Sequence, residues 1–224
     1  MTRLRVLTYN VLQGGRRGQP LTDVVRMVAP DVLVVTEAPK RPLRWRRDCR
    51  RMATRFALRY AGGGRDAGSN LLLVRRGIEV RSVTARVLPQ PRFAPRRGVV
   101  AAQLRVEGRL VGVVGCHLSL DRAGRAREVE AVLEEAARLR GPLVVAGDLN
   151  EPPDGPSWAR LRSAGLVDHG SGAWPTFPAD RPRSRIDAVL VRDAGVLHHG
   201  DPGVAEDLLA AASDHRPVLA VLDL

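Results

Sequence analysis

The feature that most restricts this chain is a series of short apolar runs, most of which carry a chemically capable polar residue at one end. Leu4–Thr8 leads to Asn10, Val32–Val35 to Glu37, Val111–Gly115 to His117, and Leu143–Ala146 to Asp148 and Asn150. Asn70 stands just before Leu71–Val74. Later in the chain the order is reversed: Asp187 precedes Ala188–Val191, and Asp214 and His215 precede Val218–Leu222. Runs this short, rich in Val and Leu and bounded by Gly or Pro, read as buried strands. Early strands offer their polar groups at the C-terminal end, late strands at the N-terminal end. If all these groups share one site, the late strands run against the early ones, and the sheets are mixed rather than all-parallel.

Helical periodicity fills the intervals. Thr22 is placed to cap a helix with Val24, Val25 and Val28 on its apolar face, ended by Pro30. Arg125–Arg140 repeats Val129, Val132, Leu133, Ala136 and Leu139 at three- and four-residue spacing, and Gly141-Pro142 stops it. Glu134 and Arg138 stand four apart on its wet face, the spacing of an ion pair. A short helix over Ser157–Ala164 ends at Gly165. Leu88–Gly98 and Ser171–Arg185 read as exposed loops, the second carrying Trp174, Pro175 and Phe177. There is no fixed-period repeat and no long linker, so residues 1–224 are expected to form one domain.

The polar groups gathered this way are carboxylates, carboxamides and two histidines, without a set of thiolate ligands. Oxygen-rich ligation suits a hard cation such as Mg²⁺ or Mn²⁺, not structural zinc. In their order along the chain, "TYNVL", "TE", "GCHLS", "GDLNEPP", "SRIDAVLV" and "SDHRPVLAVL" resemble the successive motifs of the endonuclease/exonuclease/phosphatase superfamily, from about Arg5 to the C-terminus. The resemblance implies an α/β (α+β) four-layered sandwich, two packed mixed β-sheets flanked by helices. It also implies an enzyme that hydrolyses a phosphate ester, typically a phosphodiester, with Mg²⁺ (or Mn²⁺) activating water.

Roles carry over by position. Glu37 matches the principal metal-binding carboxylate, Asn10 an Asn that helps hold metal or phosphate, and Asp214 a second metal-associated acid. Asp148 and Asn150 match the pair that positions the attacking water and a phosphate oxygen. His215 matches the catalytic His, with Asp187 orienting it. His117 matches a second His found in DNases and sphingomyelinases. Either Asp148 or His215 can serve as the base. Asn70 either lines the site or merely begins a strand. Several positions depart from the pattern: Thr36 stands where many relatives have Gln, and Tyr9 and His117 where AP endonucleases usually have Trp and Tyr. There is no membrane-inserting aromatic hairpin of the kind typical of secreted sphingomyelinases.

Charge bears on the substrate. With 36 Lys+Arg against 24 Asp+Glu, the net charge of +12 attracts polyanions. The run "KRPLRWRRDCRRMATRF" has two readings. It is either a solvated basic helix with Leu43, Met52 and Phe56 turned inward, or a phosphate-tracking face with Trp45 and Phe56 beside the site. Arg92, Arg96 and Arg97 would extend such a surface, with Arg97 a substrate-binding candidate. Nuclease action on DNA or RNA is therefore the leading expectation. The alternatives are a phosphatase or phosphodiesterase for a lipid headgroup or small phosphorylated metabolite, and a non-catalytic nucleic-acid-binding protein. Two cysteines form no disulfide framework, and no apolar stretch approaches the roughly 20 residues that span a bilayer. With no signal-peptide pattern at the N-terminus, the expected location is cytoplasmic.

Overall fold

The computed structural model describes residues 2–15, 18–170 and 174–224. Its first sheet is built from β1 (Arg3–Asn10), β2 (Val32–Thr36), β3 (Arg59–Gly64), β4 (Asn70–Val74), β11 (Gly195–Gly200) and β12 (Val218–Asp223), in the order β11-β12-β1-β2-β4-β3. The second holds β5 (Glu79–Val87), β6 (Gly98–Val106), β7 (Arg109–His117), β8 (Leu143–Asp148), β9 (Val167–Asp168) and β10 (Asp187–Arg192), in the order β5-β6-β7-β8-β10-β9. Both sheets are mixed. In the first, β1 runs parallel to β2 and antiparallel to β12; in the second, β7 runs parallel to β8 and β8 antiparallel to β10. The late strands thus oppose the early ones, as the reversed placement of their polar ends demands.

Helices α1 (Gly18–Val28), α2 (Trp45–Arg55) and α5 (Glu206–Ala212) cover the outer face of the first sheet, and α3 (Arg122–Ala136) and α4 (Pro156–Ser163) that of the second. Three apolar clusters fill the gaps between these four layers. Leu7, Leu33 and Leu219 face α1, α2 and α5; Val145, Leu190 and Cys116 face α3 and α4. Between the sheets, Leu4, Val6, Val34 and Ala220 meet Val100, Val113, Val144 and Val189. Burial of this aliphatic seam is the main force holding the layers together.

Some local expectations are corrected. Thr22 lies inside α1, not at its cap, and its hydroxyl donates to the Gly18 carbonyl at 2.8 Å. Helix α3 starts earlier than its apolar period, because Asp121 caps it by accepting from the Gly124 N–H at 2.7 Å. Glu134 and Arg138 do not pair. Arg138 turns to Glu135 at 2.7 Å, and Glu134 reaches Arg86 on β5 at 3.2 Å. Met52 and Phe56 are buried as the packing reading of α2 requires, while Leu43 is fully exposed. Trp45 is also buried, against Gly64, and is not presented for stacking on a base. The expected Ser171–Arg185 loop is seen from Trp174 onward; residues 171–173 lie outside the described residues.

Candidate active site

A strand directs alternate side chains to opposite faces, so the residue that ends a run inherits its face from the apolar residues before it. On β1, Leu4 and Val6 enter the seam between the sheets, and Asn10 follows the same parity. On β8 the seam residues Val144 and Ala146 lead to Asp148; on β7, Val111 and Val113 lead to His117; on β10, Asp187 shares its face with Val189 and Val191. Four candidate side chains therefore arrive at one end of the seam. His215, just before β12, completes the group.

The hydrogen bonds record this convergence. Asn10 Nδ2 donates to Asp148 Oδ2 at 3.1 Å and approaches His215 Nε2 at 3.5 Å. His215 Nδ1 is 2.8 Å from Asp187 Oδ2, and its Nε2 is 3.8 Å from Asp148 Oδ2. His117 Nε2 is 3.4 Å from Asp148 Oδ2 and 3.0 Å from Asn150 Nδ2. Asn150 also gives Nδ2 to the Leu118 carbonyl at 2.8 Å and its backbone N–H to Asp148 Oδ1 at 2.9 Å. Asn150 holds its turn with a φ of +49°. Asn10, His117, Asp148, Asp187 and His215 are all buried.

The two imidazoles are driven in opposite directions. Burial pushes His117 down to about 4, with the charge of Asp148 opposing, so its ring is neutral at pH 7. Burial also disfavours charge on His215, but Asp187, Asp148 and Asp214 outweigh it and push the ring up to about 9. Burial raises the Asp148 carboxyl above its ordinary range, while His117 and His215 pull it down. The site thus sets an imidazolium and a neutral imidazole against Asp148.

The remaining candidates lie at the margin. Glu37 is half-buried just past the end of β2, with a φ of +54°, and its carboxylate makes no hydrogen bond or ion pair with the described residues. Asp214 is half-buried and receives the Ser213 hydroxyl at 3.3 Å. Among the described residues, the group whose ligand atoms lie within 4.8 Å of one another is Asp148, Asp187 and His215, without Glu37 or Asp214. Arg97 is buried; burial lowers its guanidinium from the ordinary Arg value, against the charges of Asp148, Glu128 and Glu37. Asn70 is buried, with Nδ2 tied to the carbonyls of Ala67 (2.9 Å) and Gly98 (2.7 Å), so that it pins the start of β6 beside Arg97.

Three contacts escaped the sequence reading. The Phe177 ring packs on His215 with centroids 4.8 Å apart. The Thr176 hydroxyl accepts the N–H groups of Ile186 (3.1 Å) and Asp187 (3.2 Å), fixing the start of β10. The buried Glu128 carboxylate on α3 accepts from the N–H and hydroxyl of Ser119, two residues after His117, and from Gln90. The aromatic run in the loop before "SRID" was the available signal for Phe177; Thr176 and Glu128 left none.

A donor set suited to a divalent cation is present. Asp187 Oδ1 is buried without a hydrogen-bond partner among the described residues, the Glu37 carboxylate has none among them either, and the candidate ligands are oxygens and an imidazole rather than thiolates. Cys116 points away from the seam into the α3–α4 core.

The family model described as "Endonuclease/Exonuclease/phosphatase family" matches residues 7–215. The chain belongs to that family. Membership places it among phosphoester-hydrolysing enzymes, and solved members share its architecture. An endonuclease/exonuclease/phosphatase from Bacteroides vulgatus superposes with a TM-score of 0.81 at 19% identity, covering 100% of both chains. A mannosyl-6-phosphatase from Bacteroides thetaiotaomicron gives 0.79 at 20% identity, over 99% of this chain and 100% of that one. D. rerio TDP2 complexed with single-strand DNA product gives 0.73 at 15% identity, with 100% of each chain covered. Among curated proteins, none matches this family member significantly.

Proposed function

We propose that this protein cuts phosphodiester bonds in DNA or RNA by direct attack of water, without a covalent enzyme intermediate. The reading rests on one observation: Asn10, His117, Asp148 and Asn150 form a hydrogen-bonded network at the end of the seam, and the hydrogen-bonded Asp187–His215 pair meets it through the contact of His215 Nε2 with Asp148 Oδ2 at 3.8 Å. Asp148, restrained by Asn10 and the Asn150 N–H, takes the proton of the incoming water. The His215 imidazolium, held by Asp187 and backed by Phe177, donates to a phosphate oxygen, where charge grows in the transition state. Asn10 offers its second amide hydrogen to a phosphate oxygen, Asn150 holds His117 and the turn after Asp148 in place, and Arg97 draws the anion inward. Mg²⁺, or Mn²⁺ in its place, held through Glu37 and Asn10 with Asp214 nearby, would neutralise phosphate charge and lower the pKa of bound water.

Nucleic acid is favoured over a small ester by the surface beside Glu37. A groove of about 1080 Å³ runs along α2 and is lined by Lys40, Arg47, Arg50, Arg51 and Arg55. Phe93, almost fully exposed, carries Arg92 over its ring at 5.0 Å in the loop that leads to Arg97. Cations that follow a backbone, with an aromatic to stack on a base, are the features of single-strand binding. The fold shared with a mannosyl-6-phosphatase keeps a small phosphorylated metabolite as the second reading. No helix among the described residues is long and apolar enough to cross a membrane, and Cys49 and Cys116 are free and buried. A reducing cytoplasm suits both facts.

The test is incubation of plasmid DNA, RNA and bis(p-nitrophenyl) phosphate with Mg²⁺ or with EDTA. Mg²⁺-dependent nicking or RNA shortening supports the proposal. Release of nitrophenol with intact nucleic acids moves the assignment to the small-ester reading, and binding without turnover to a non-catalytic role.

A further inference from the structure

Close in the chain to Glu37 and Arg97 lies a second, smaller cavity of about 280 Å³, lined by Lys40, Arg65, Ser69 and Arg96. It is joined to the site by backbone on both sides. The Ser69 carbonyl accepts the N–H of Ala38, the residue after Glu37, at 2.9 Å, and Arg96 is the neighbour of the buried Arg97. Its volume is near the low end for ligand pockets, which run from roughly 300 Å³ upward. That suits one charged group better than a whole nucleotide.

The charge in this cavity is uncompensated. Many of the protein's surface cations are neutralised within the fold: Arg41 by Asp48, Arg46 by Asp66, Arg75 by Asp31, Arg160 by Glu130. Lys40, Arg65 and Arg96 make no ion pair or side-chain hydrogen bond with the described residues. Ser69 is buried and locked, donating its N–H to the Gly64 carbonyl at 2.8 Å, yet its hydroxyl has no hydrogen-bond partner among the described residues. It holds a φ of +76°, a conformation that costs free energy for a residue with a side chain. A strained residue offering a hydroxyl among three cations without partners among the described residues makes a cradle rich in donors. Two guanidinium forks, an ammonium and a hydroxyl match the tetrahedral oxygens of a phosphate.

We propose that Lys40, Arg65, Ser69 and Arg96 form a second phosphate subsite, which takes the backbone phosphate next to the one being cut. The proposal rests on the reading of the site as a nucleic-acid phosphodiesterase and adds to it a register: one phosphate in the network, its neighbour in the pocket. Lys40 also lines the α2 groove, so the strand continues from the pocket along α2.

The test measures binding of a fluorescent single-stranded oligonucleotide in EDTA across a range of salt, which separates binding from turnover. The triple variant Lys40→Gln, Arg65→Gln, Arg96→Gln is compared with Arg3→Gln, Arg76→Gln, Arg109→Gln. The second set removes the same charge at the opposite end of the strands. The pocket variant is expected to bind about tenfold more weakly or worse. Its log–log salt slope should be shallower by about one, the signature of one lost phosphate contact. The distal variant should keep the wild-type slope. Equal changes in both triples, or none in either, overturn the subsite while leaving the nucleic-acid reading in place. A wild type that binds no oligonucleotide overturns both.

Discussion

Asn10 donates its side-chain amide to Asp148 across 3.1 Å, and the two residues end strands that belong to different sheets. This bond joins the halves of the site, whose members come from β1 and the segment before β12 on one side and from β7, β8 and β10 on the other. Asn10→Ala should lower kcat by about a hundredfold. Leaving Asp148 short of a donor should also cost about 1–3 kcal/mol of stability. Steady-state kinetics and urea titration check the two parts separately, and a variant with wild-type kcat would remove Asn10 from the mechanism.

Glu37→Gln and His215→Ala are each expected to lose at least about a hundredfold in turnover while remaining folded. Glu37 has no partner to lose among the described residues, so its variant should keep the wild-type melting temperature, and dialysis against EDTA should have the same effect on turnover. Near-normal rates in either variant refute the assigned role.

The opposed shifts of the two histidines predict how the metal-free protein responds to pH. His215 titrates at about 9 when folded and about 6.5 when unfolded. Its stabilisation is complete below pH 6.5 and is lost as pH rises through 9, a difference of roughly 3 kcal/mol. His117 is pushed down to about 4. Its contribution is complete above pH 6.5 and is lost as pH falls through 4. Melting temperature in EDTA should therefore peak near pH 6.5. His215→Gln should flatten the alkaline limb and His117→Gln the acid limb. A profile unchanged by both substitutions contradicts these environments.

Gly147, just before Asp148, has a φ of +150°, and a Cβ built on it would lie 1.8 Å from the Cys116 carbonyl oxygen. Backbone cannot retreat without parting β7 from β8 and moving His117 away from Asp148. Gly147→Ala should cost about 3 kcal/mol and lower the melting temperature by roughly 6–12 °C. Calorimetry decides it.

Legibility in the sequence followed burial. Strands covered on both faces, such as β2, β4 and β8, are unbroken apolar runs and could be read directly, as could the opposed directions of early and late strands. Edge strands could not. β5, at the margin of its sheet, is mostly exposed and carries Arg81, Ser82 and Arg86; β11 carries His198 and His199; β3 ends in three glycines. None of these has an apolar signal because no layer covers enough of it. The polar positions at the strand ends were legible because the chain repeats the same placement seven times. Trp45 stayed ambiguous in the sequence because a tryptophan among arginines has the composition of a binding face, whereas the space above Gly64 gives it a packing role. Phe177 and Glu128 meet their partners across 38 and 9 residues, distances at which local pattern carries no information.

The alternation that sorts side chains along β1 sends Leu7 and Tyr9 toward the helices and Leu4, Val6 and Asn10 toward the opposite sheet. A slip of a single residue in its pairing with β2 or β12 would exchange these sets, turning the amide outward and a phenol inward. Oil and reagent are thus aimed by one choice of register, and an error in folding that spoils the interior disarms the enzyme in the same stroke.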